Sequence, residues 1–291
     1  MKYQNKEGWL FVAPLLCWLA FSICVPLYIA IELSFFDIKI IGTEGKFVGF
    51  KNYIKTLNSS KFPKALTNSI YWVLANAVTQ TFFAFLIALT LNKHFKGVKI
   101  ATNWIILSFI IPTVVIVVIW KLMLSSSSGI INSLLVQLHI IDKPIGFFSS
   151  STSAFVSLVL INSWRWSPFL ALIILSGLKS IHQEIYDASK IDGAGFFAEF
   201  FQITLPQLKG VLFVLGLVGT LLSFNVFDII WLITKGGPSS ATTTLPLLIY
   251  ETAFTKFRLS QAAALSVITS FVLLTFSIVF IKVMGKDHDE R

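Results

Sequence analysis

Long apolar runs separated by short polar stretches are the first structural signal in this chain. Six runs contain no Asp, Glu, Lys or Arg, and they are 8–31, 65–92, 100–120, 144–164, 210–227 and 259–281. Each is close to the roughly 20 residues that an α-helix needs to cross about 30 Å of hydrocarbon, where only a helix satisfies its own backbone hydrogen bonds. The pattern therefore predicts an all-α integral membrane protein with six transmembrane helices.

The positions of these runs predict the domain organisation. We expect a single transmembrane domain over residues 1–291, because no internal repeat is visible. The expected spans are about 9–32, 67–91, 101–122, 154–178, 211–233 and 262–283. A polar loop at 181–206 separates the fourth span from the fifth.

Composition and charge agree with a membrane protein. Hydrophobic residues make up 55% of the chain and charged residues only 13%, which is too apolar for a soluble domain of this size. The net charge of +9 forms no basic stripe apart from the residues that flank spans, so nucleic-acid binding is not expected. With both termini inside, the inner loops carry eleven Lys and Arg and the outer loops ten, six of them in 35–64. We expect the termini to be cytoplasmic, because that one segment supplies most of the basic residues of the outer loops and the inner loops lead clearly without it.

Motifs for catalysis, nucleotide binding and metal binding are missing. The string GTEGKF has the wrong spacing for a phosphate-binding P-loop, and no HExxH, CxxC or GxSxG occurs. We therefore predict no catalytic residues, no metal site and no cofactor in this chain. These absences favour transport or scaffolding over catalysis.

The loop 181–206 has the pattern of two short helices around a glycine turn. An apolar face is expected at Ile181, Ile185, Ala188, Ile191 and Ala194, with Gln183, Glu184, Asp187 and Lys190 mostly on the other face. Gly193 permits a turn, and a second helix through FFAEFF is expected to end before Pro206. Two interpretations stay open at this point, an interfacial loop that packs on its own domain or a docking surface for a cytoplasmic partner.

The residues of this loop resemble a known family. The string IYDASKIDGAGFFAEFFQITLPQL is similar to the EAA loop of bacterial ABC importer permeases, whose pattern runs E-A-A, D-G-A and I-x-L-P. Asp187-Ala188-Ser189 stands for E-A-A, and Asp192-Gly193-Ala194 matches D-G-A. Carbohydrate-type permeases contain segments that resemble four further strings of this chain, FVGFKNYIKTL, FPKALTNSIYWV, WRWSPFLALIILSGL and WLITKGGPSSATTTLPLLIYETAF. The fourth string resembles the outer loop between the last two helices in the first of the two permease subunits of such importers.

The resemblance implies the function and the partners. It implies a non-catalytic permease subunit of the bacterial cytoplasmic membrane that imports a sugar or oligosaccharide. A homologous second permease, two ABC ATPases that bind ATP and Mg, and an extracytoplasmic solute-binding protein complete the system. The loop is then a coupling helix-turn-helix that contacts an ATPase. The residues implied in this coupling are Glu184, Asp187, Ala188, Ser189, Asp192, Gly193, Ala194 and Pro206.

Polar residues inside apolar runs are candidates for the solute path, because they are costly in lipid. These candidates are Asn76, Gln80, Asn162, Trp164, Arg165, Asn225 and Asp228. Asp228 is the expected partner of Arg165, and Pro168 is expected to loosen the helix beside them. Each candidate has a structural alternative, an ion pair or a hydrogen bond between helices.

Three further functional hypotheses remain open. Arg165 suits an importer of glycerol phosphate or another small polar solute. An ion-coupled secondary transporter would work without an ATPase. A membrane scaffold or enzyme would leave solute uptake independent of this chain.

Overall fold

The computed structural model describes residues 4–38, 45–93 and 95–285. Within these ranges the chain is mostly helical, and two short strands, Phe36–Asp37 (β1) and Lys46–Phe47 (β2), pair antiparallel. The two chain ends, whose cytoplasmic placement the sequence predicts, lie outside the described residues.

The helices are numbered in chain order. They are α1 Gln4–Phe35, α2 Lys51–Leu57, α3 Lys61–Leu91, α4 Val98–Ile110, α5 Thr113–Met123, α6 Ile130–Gln137, α7 Ser151–Ser180, α8 Gln183–Ile191, α9 Phe196–Ala198, α10 Leu205–Gln207, α11 Lys209–Phe224, α12 Asp228–Ile233, α13 Leu245–Tyr250 and α14 Leu259–Gly285. Two π-helical turns, Glu199–Thr204 and Glu251–Thr255, follow α9 and α13.

The helix lengths confirm the predicted class of an all-helical membrane protein. The described residues contain five helices long and apolar enough to cross a membrane, and the pair α4 and α5 makes a sixth if it forms one span. The exact limits of the spans in the bilayer stay predictions, as does the single domain.

The third predicted span, 101–122, is not one straight helix. α4 and α5 meet at an angle of 97°. The cause is Pro112, which has no N–H to donate and which disfavours helical backbone in the residue before it. Ile111 is extended accordingly, with φ −62° and ψ 131°. The fifth predicted span is interrupted as well, because α11 ends at Phe224 and α12 begins at Asp228.

The contacts within the chain group it into two compact units. Of the described residues, the first unit comprises 4–38, 45–63 and 248–274, and the second comprises 64–93, 95–247 and 275–285. In the first unit, α1 leaves apolar side chains such as Trp9, Phe11 and Trp18 exposed. A long helix with exposed apolar side chains is typical of a lipid-facing span.

The second unit has a hydrophobic core around α7. Ala84 and Ala88 of α3 and Ala171 of α7 are fully buried in one cluster, which also contains Leu208 and Leu215. α7 further contacts α4, α11 and α12. Small side chains allow close packing of membrane helices, so α7 is the central element of this unit.

Candidate functional site

The loop predicted to contact an ATPase is an ordered helical segment. α8 begins after His182 and carries Glu184 in its first turn and Lys190 in its last, where these charges favour the helix dipole. Gln183 Nε2 donates to Asp187 Oδ1 at 3.1 Å, and Lys190 Nζ lies 4.0 Å from the same oxygen. The side chains of Asp187 and Lys190 stay about 60% exposed, and those contacts add little stability.

The exposed face of α8 differs from the predicted one. Glu184 and Asp187 are exposed as expected, but Ala188 and Ile191 are exposed too, Ile191 to 87%, although their spacing placed both on the apolar face. Ile185 is half-buried, as predicted, and so is Tyr186, whose hydroxyl lies 3.2 Å from Thr204 Oγ1. The exposed face is therefore acidic with an apolar end.

Ser189, which the resemblance also implies in coupling, faces the chain rather than solvent. It is only 7% exposed, and its hydroxyl donates to the Tyr186 carbonyl at 2.8 Å. The reason is the rotation of α8 about its axis, which turns Ser189 toward the chain and Ala188 away from it. Ser189 supports the loop from inside.

The turn after α8 uses the glycine that the sequence predicts. Gly193 has φ +79°, a backbone conformation that side-chain-bearing residues rarely adopt. The Ala194 N–H donates to the Ser189 carbonyl at 2.9 Å, and the Asp192 N–H donates to the Ala188 carbonyl at 3.1 Å. Asp192 is exposed beside the turn, and Ala194 is half-buried.

The second helix of the loop does not end before Pro206. Helical backbone continues from α9 through the π-helical turn Glu199–Thr204 into α10, which contains Pro206. In the π turn the Leu205 N–H donates to the Phe200 carbonyl, five residues back, and this wider turn accommodates the proline that follows. Phe200 packs edge-on against Phe85, with ring centroids 5.6 Å apart.

A buried leucine anchors the loop in the core of its unit. Leu208 follows α10 directly, is fully buried and belongs to the core cluster. A Cβ placed on Gly177 of α7 would lie 2.7 Å from Leu208 Cδ2 and 2.7 Å from Val211 Cγ2. This close approach joins the end of the loop to α7.

The predicted partnership of Arg165 and Asp228 is confirmed. Arg165 Nη1 lies 3.2 Å from Asp228 Oδ2, and the two side chains are 16% and 43% exposed. Arg165 is in the middle of α7, and Asp228 begins α12 at the interruption of the fifth span. Irregular backbone at membrane depth is tolerated where it is covered by protein or lines a cavity. α12 also contacts α5, the second half of the bent pair.

Three other predicted residues form a buried amide network. Asn162 Nδ2 of α7 donates to Asn76 Oδ1 of α3 at 2.7 Å, and Gln80 Nε2 donates to the same oxygen at 3.0 Å. All three side chains are buried. Thr79 and Ser163 join the same two helices through hydroxyls 2.6 Å apart. The network connects α3 to α7.

The last two predicted residues are exposed. Trp164 packs edge-on against Trp120, with centroids 5.6 Å apart, and both line a cavity of about 500 Å³ together with Trp104. Asn225 is exposed and donates to the Leu221 carbonyl at 2.9 Å. Sequence reasoning missed Trp104 and Trp120. The available signal was Pro112, which lies between Trp104 and Trp120 in sequence and breaks the helix there into α4 and α5.

One face of α7 carries buried polar atoms that have no protein partner. Among the side chains that the structure describes, Asn162 Oδ1, Arg165 Nε and Trp166 Nε1 are buried without a hydrogen bond. Their spacing of three and four residues places them on the same side of the helix. Unsatisfied buried groups are rare, and two donors with one acceptor on one face can serve a polar ligand. No group of His, Cys, Asp or Glu in the described ranges is arranged to hold a metal ion.

Comparison with known proteins gives matches over the whole chain. Residues 80–285 match the family described as binding-protein-dependent transport system inner membrane component. The trehalose/maltose transport system permease protein MalF of Thermococcus litoralis is 33% identical, over 97% of this chain and 95% of that protein. The lactose transport system permease protein LacF of Rhizobium radiobacter is 29% identical, over 97% of this chain and 94% of that protein.

A solved structure matches the fold as well. It is the crystal structure of a bacterial ABC transporter involved in the import of the acidic polysaccharide alginate, which aligns with a TM-score of 0.81 and covers 97% of each chain. The sequence identity is 21%, so this match concerns the fold alone.

Proposed function

This chain belongs to the family of binding-protein-dependent transport system inner membrane components, and from this premise we propose that it forms the membrane path of an ATP-driven carbohydrate importer. Proteins of this family are permease subunits of ABC transporters, which are not enzymes, because a separate subunit hydrolyses ATP. The chain is accordingly a multi-pass membrane protein.

The exposed acidic face of α8 is the observation that carries the coupling part of the proposal. Glu184, Asp187 and Asp192 can pair with basic groups of an ATPase, while Ala188 and Gly193 allow close approach. Ile191 adds an exposed apolar contact at the end of this face. Leu208 connects the loop to the core, which gives ATPase closure a route to α7.

The remaining subunits follow from this assignment. Two ABC ATPases bind ATP and Mg and dock at the coupling loops, and a homologous second permease completes the path. An extracytoplasmic solute-binding protein delivers the solute. Docking of cytoplasmic ATPases on α8 requires both termini of a six-span chain to be cytoplasmic, because the loop 181–206 then lies on the same side as the termini.

The carbohydrate assignment has two supports. The named relatives include a trehalose/maltose permease and a lactose permease. In addition, Asn162 Oδ1, Arg165 Nε and Trp166 Nε1 offer one acceptor and two donors on one face of α7. A sugar hydroxyl both donates and accepts hydrogen bonds, so it can use both kinds of group. These polar atoms are buried, so solute contact requires the helices packed against α7 to move during transport.

Glycerol phosphate is a weaker candidate for the solute. Arg165 already pairs with Asp228 at 3.2 Å, and that contact neutralises the charge that a phosphate would need. We assign the hydrogen bonds from Asn162 Nδ2 and Gln80 Nε2 to Asn76 Oδ1 to the joining of α3 and α7, and of these three amides only Asn162 Oδ1 to the solute.

Uptake assays test the solute. Cells that lack this chain are given radiolabelled maltose, trehalose, lactose and glycerol phosphate in turn, with and without a plasmid that restores it. The proposal expects restored uptake of at least one sugar and its loss when cellular ATP is depleted. Restoration for glycerol phosphate alone would refute the carbohydrate assignment, and uptake driven by a proton or sodium gradient without an ATPase would favour a secondary transporter.

A charge-reversal pair tests the docking face. Asp187→Arg places a cation on the exposed face of α8, and Asp142→Arg makes the same change at an exposed residue between α6 and α7. We expect Asp187→Arg to lose the ATPase subunits in affinity purification and Asp142→Arg to retain them. Retention of the ATPases and of normal uptake by Asp187→Arg would contradict the coupling assignment.

A further inference from the structure

The first unit contains a basic cavity, whose lining is mostly polar and carries an excess of positive charge. Its volume is about 650 Å³, and the cations that line it are Lys55 of α2 and Lys256 and Arg258, which precede α14. An adjoining cavity of about 60 Å³ shares Lys256 and Arg258 and adds Lys61. Within the part of the chain that the structure describes, Asp37 is the carboxylate that lines the larger cavity, so the cations outnumber it.

Buried side chains hold the walls of the basic cavity in place. Ser260 accepts a hydrogen bond from the Ile38 N–H at 2.8 Å and donates to the Ile38 carbonyl at 3.1 Å. Asn52 of α2 donates to the carbonyls of Ser34 and Phe36, each at 2.9 Å. Both Ser260 and Asn52 are buried. These bonds fix α2 and the start of α14 on the segment that follows α1.

An exposed phenylalanine lies between two of the lining cations. Phe257 lines the larger cavity and is 73% exposed, and its φ of +52° is rare for an aromatic residue. The Lys256 N–H donates to the Glu251 carbonyl at 2.9 Å, and the Arg258 N–H donates to the Thr252 carbonyl at 3.0 Å. The turn is therefore held on both sides of Phe257. Backbone conformations of this kind persist where the surrounding structure fixes them, and they concentrate at binding sites.

The positive charge of the basic cavity is only partly compensated. Lys256 Nζ lies 3.9 Å from Glu251 Oε2, a long contact, and among the described residues neither Lys55 nor Arg258 forms an ion pair within 4.0 Å. Desolvation by burial and repulsion from Lys61 lower the pKa of Lys256 from its ordinary value. A negatively charged group beside these cations would relieve the repulsion.

The proposed function places the basic cavity on the extracytoplasmic side of the membrane. With both termini in the cytoplasm, α1 leads to the outer side and ends there at Phe35, and α14 begins on the outer side at Leu259 and leads back. The lining residues belong to the segments next to these two helix ends. A cytoplasmic ATPase therefore cannot be the occupant.

The arrangement of α2 favours a protein over a lipid. Phe50 and Leu57 are exposed on the side of α2 opposite to Asn52, which lines the cavity, so acyl chains on those apolar side chains would lie away from the cations. The family to which the chain belongs depends on a binding protein. A protein that approaches from the outer side with an acidic side chain fits both the charge and the position of the cavity.

From these observations we propose that the basic cavity receives an acidic side chain of the extracytoplasmic solute-binding protein when that protein docks. Arg258 and Lys256 pair with the carboxylate, and Phe257 packs on apolar surface beside it. Arginine and aromatic side chains are enriched at the centres of protein interfaces, and opposite charges guide the partners together. The inference rests on the proposed function and names the contact and the chemistry through which the binding protein is recognised.

Photo-crosslinking in whole cells tests the occupant. Phe257→p-benzoylphenylalanine places a cross-linker at the cavity, and Phe50→p-benzoylphenylalanine is the matched control, because Phe50 is 67% exposed on the other side of α2. We expect mass spectrometry to find the first variant, and not the control, joined to a solute-binding protein through a peptide that contains Asp or Glu. Cross-links to lipid alone, or an equal yield of the same protein from both positions, would overturn the inference.

A charge exchange tests the pairing in the reconstituted complex. Arg258→Glu should raise the concentration of the cross-linked binding protein that half-saturates ATP hydrolysis by roughly tenfold at low salt, because two carboxylates then meet. Changing the cross-linked Asp or Glu of the binding protein to Lys should restore most of this loss. Arg258→Lys keeps the charge and should stay close to the unmodified chain. Lys51→Glu is the control at an exposed position outside the lining, and we expect a change below about twofold.

The outcomes separate this inference from the proposed function. If the binding protein stimulates ATP hydrolysis and Arg258→Glu has the same half-saturating concentration as Lys51→Glu, the cavity is not the docking site, although the chain remains a permease of an importer. If the chain purifies without an ATPase and no binding protein stimulates hydrolysis, the proposed function fails and the inference fails with it. Loss of affinity in Arg258→Glu without recovery in the charge-exchanged pair would reject the carboxylate as the occupant.

Discussion

Arg165 in the middle of α7 and Asp228 at the start of α12 form an ion pair with 3.2 Å between Nη1 and Oδ2. The pair joins the central helix of the second unit to the interrupted fifth span. Breaks in membrane helices occur next to solute sites in transporters, because freed backbone groups and polar side chains can face a cavity there. The pair therefore marks the region in which a change of conformation has most effect on the proposed path.

Removing either partner of this pair should destabilise the chain, and exchanging the two charges should restore part of the loss. Arg165 is largely buried while Asp228 is partly exposed, so we expect Asp228→Asn to cost about 1–2 kcal/mol rather than the 3–5 kcal/mol of a fully buried pair. Thermal unfolding in detergent measures this. The double variant Arg165→Asp with Asp228→Arg should unfold at a higher temperature than either single charge reversal. Equal instability of all three variants would show that the pairing contributes nothing.

The amide network should contribute to stability through its shared acceptor. Asn76→Leu leaves the amide groups of Asn162 and Gln80 without Asn76 Oδ1, and a buried unsatisfied group costs about 1–3 kcal/mol. Asn225→Leu is the control, since its exposed amide donates only to the Leu221 carbonyl. We expect a clear drop in melting temperature for the first variant and a change within about 0.5 kcal/mol for the second. A similar change in both would argue against a structural role of the network.

Gly193 and Gly195 provide a matched pair for the turn of the coupling loop. A Cβ at either position meets no atom within 4 Å, but Gly193 has φ +79° and Gly195 has φ −79°. Gly193→Ala is therefore strained by about 1–2 kcal/mol, whereas Gly195→Ala is not. We expect Gly193→Ala to speed amide hydrogen exchange in α8 and to lower uptake, with no change in global melting temperature. Equally fast exchange in both variants would contradict this account of the turn.

Gly177 should be intolerant of any side chain. A methyl group there would lie 2.7 Å from atoms of Leu208 and Val211, and the buried Leu208 has little room to move. Overpacking of this kind costs about 1–3 kcal/mol. Gly219→Ala in α11 meets no atom within 4 Å and should instead gain up to about 1 kcal/mol from helix propensity. Melting temperatures should therefore shift in opposite directions, and a shift in the same direction would refute the close approach of α7 to the loop.

Much of the fold and part of the site could be predicted from the sequence. The apolar runs predicted the helical membrane class, and the loop pattern predicted α8 and the glycine turn at Gly193. The pairing of Arg165 with Asp228 was predicted because two opposite charges in apolar runs are costly unless they meet. Pro112 itself was the local signal for the bend between α4 and α5, but it lies inside a continuous apolar run, and the length of that run predicted a single span.

The sequence by itself determined the long apolar helices, α8 and the turn at Gly193, because these depend on neighbours three or four positions away and on glycine. Only the tertiary structure decided the rotation of each helix about its axis. That rotation buried Ser189 and exposed Ile191, brought Asn76 to Asn162, and placed Lys55 in one cavity with Lys256. Helical periodicity defines relative positions around one axis, whereas the side that faces inward depends on the shapes of the elements packed against it.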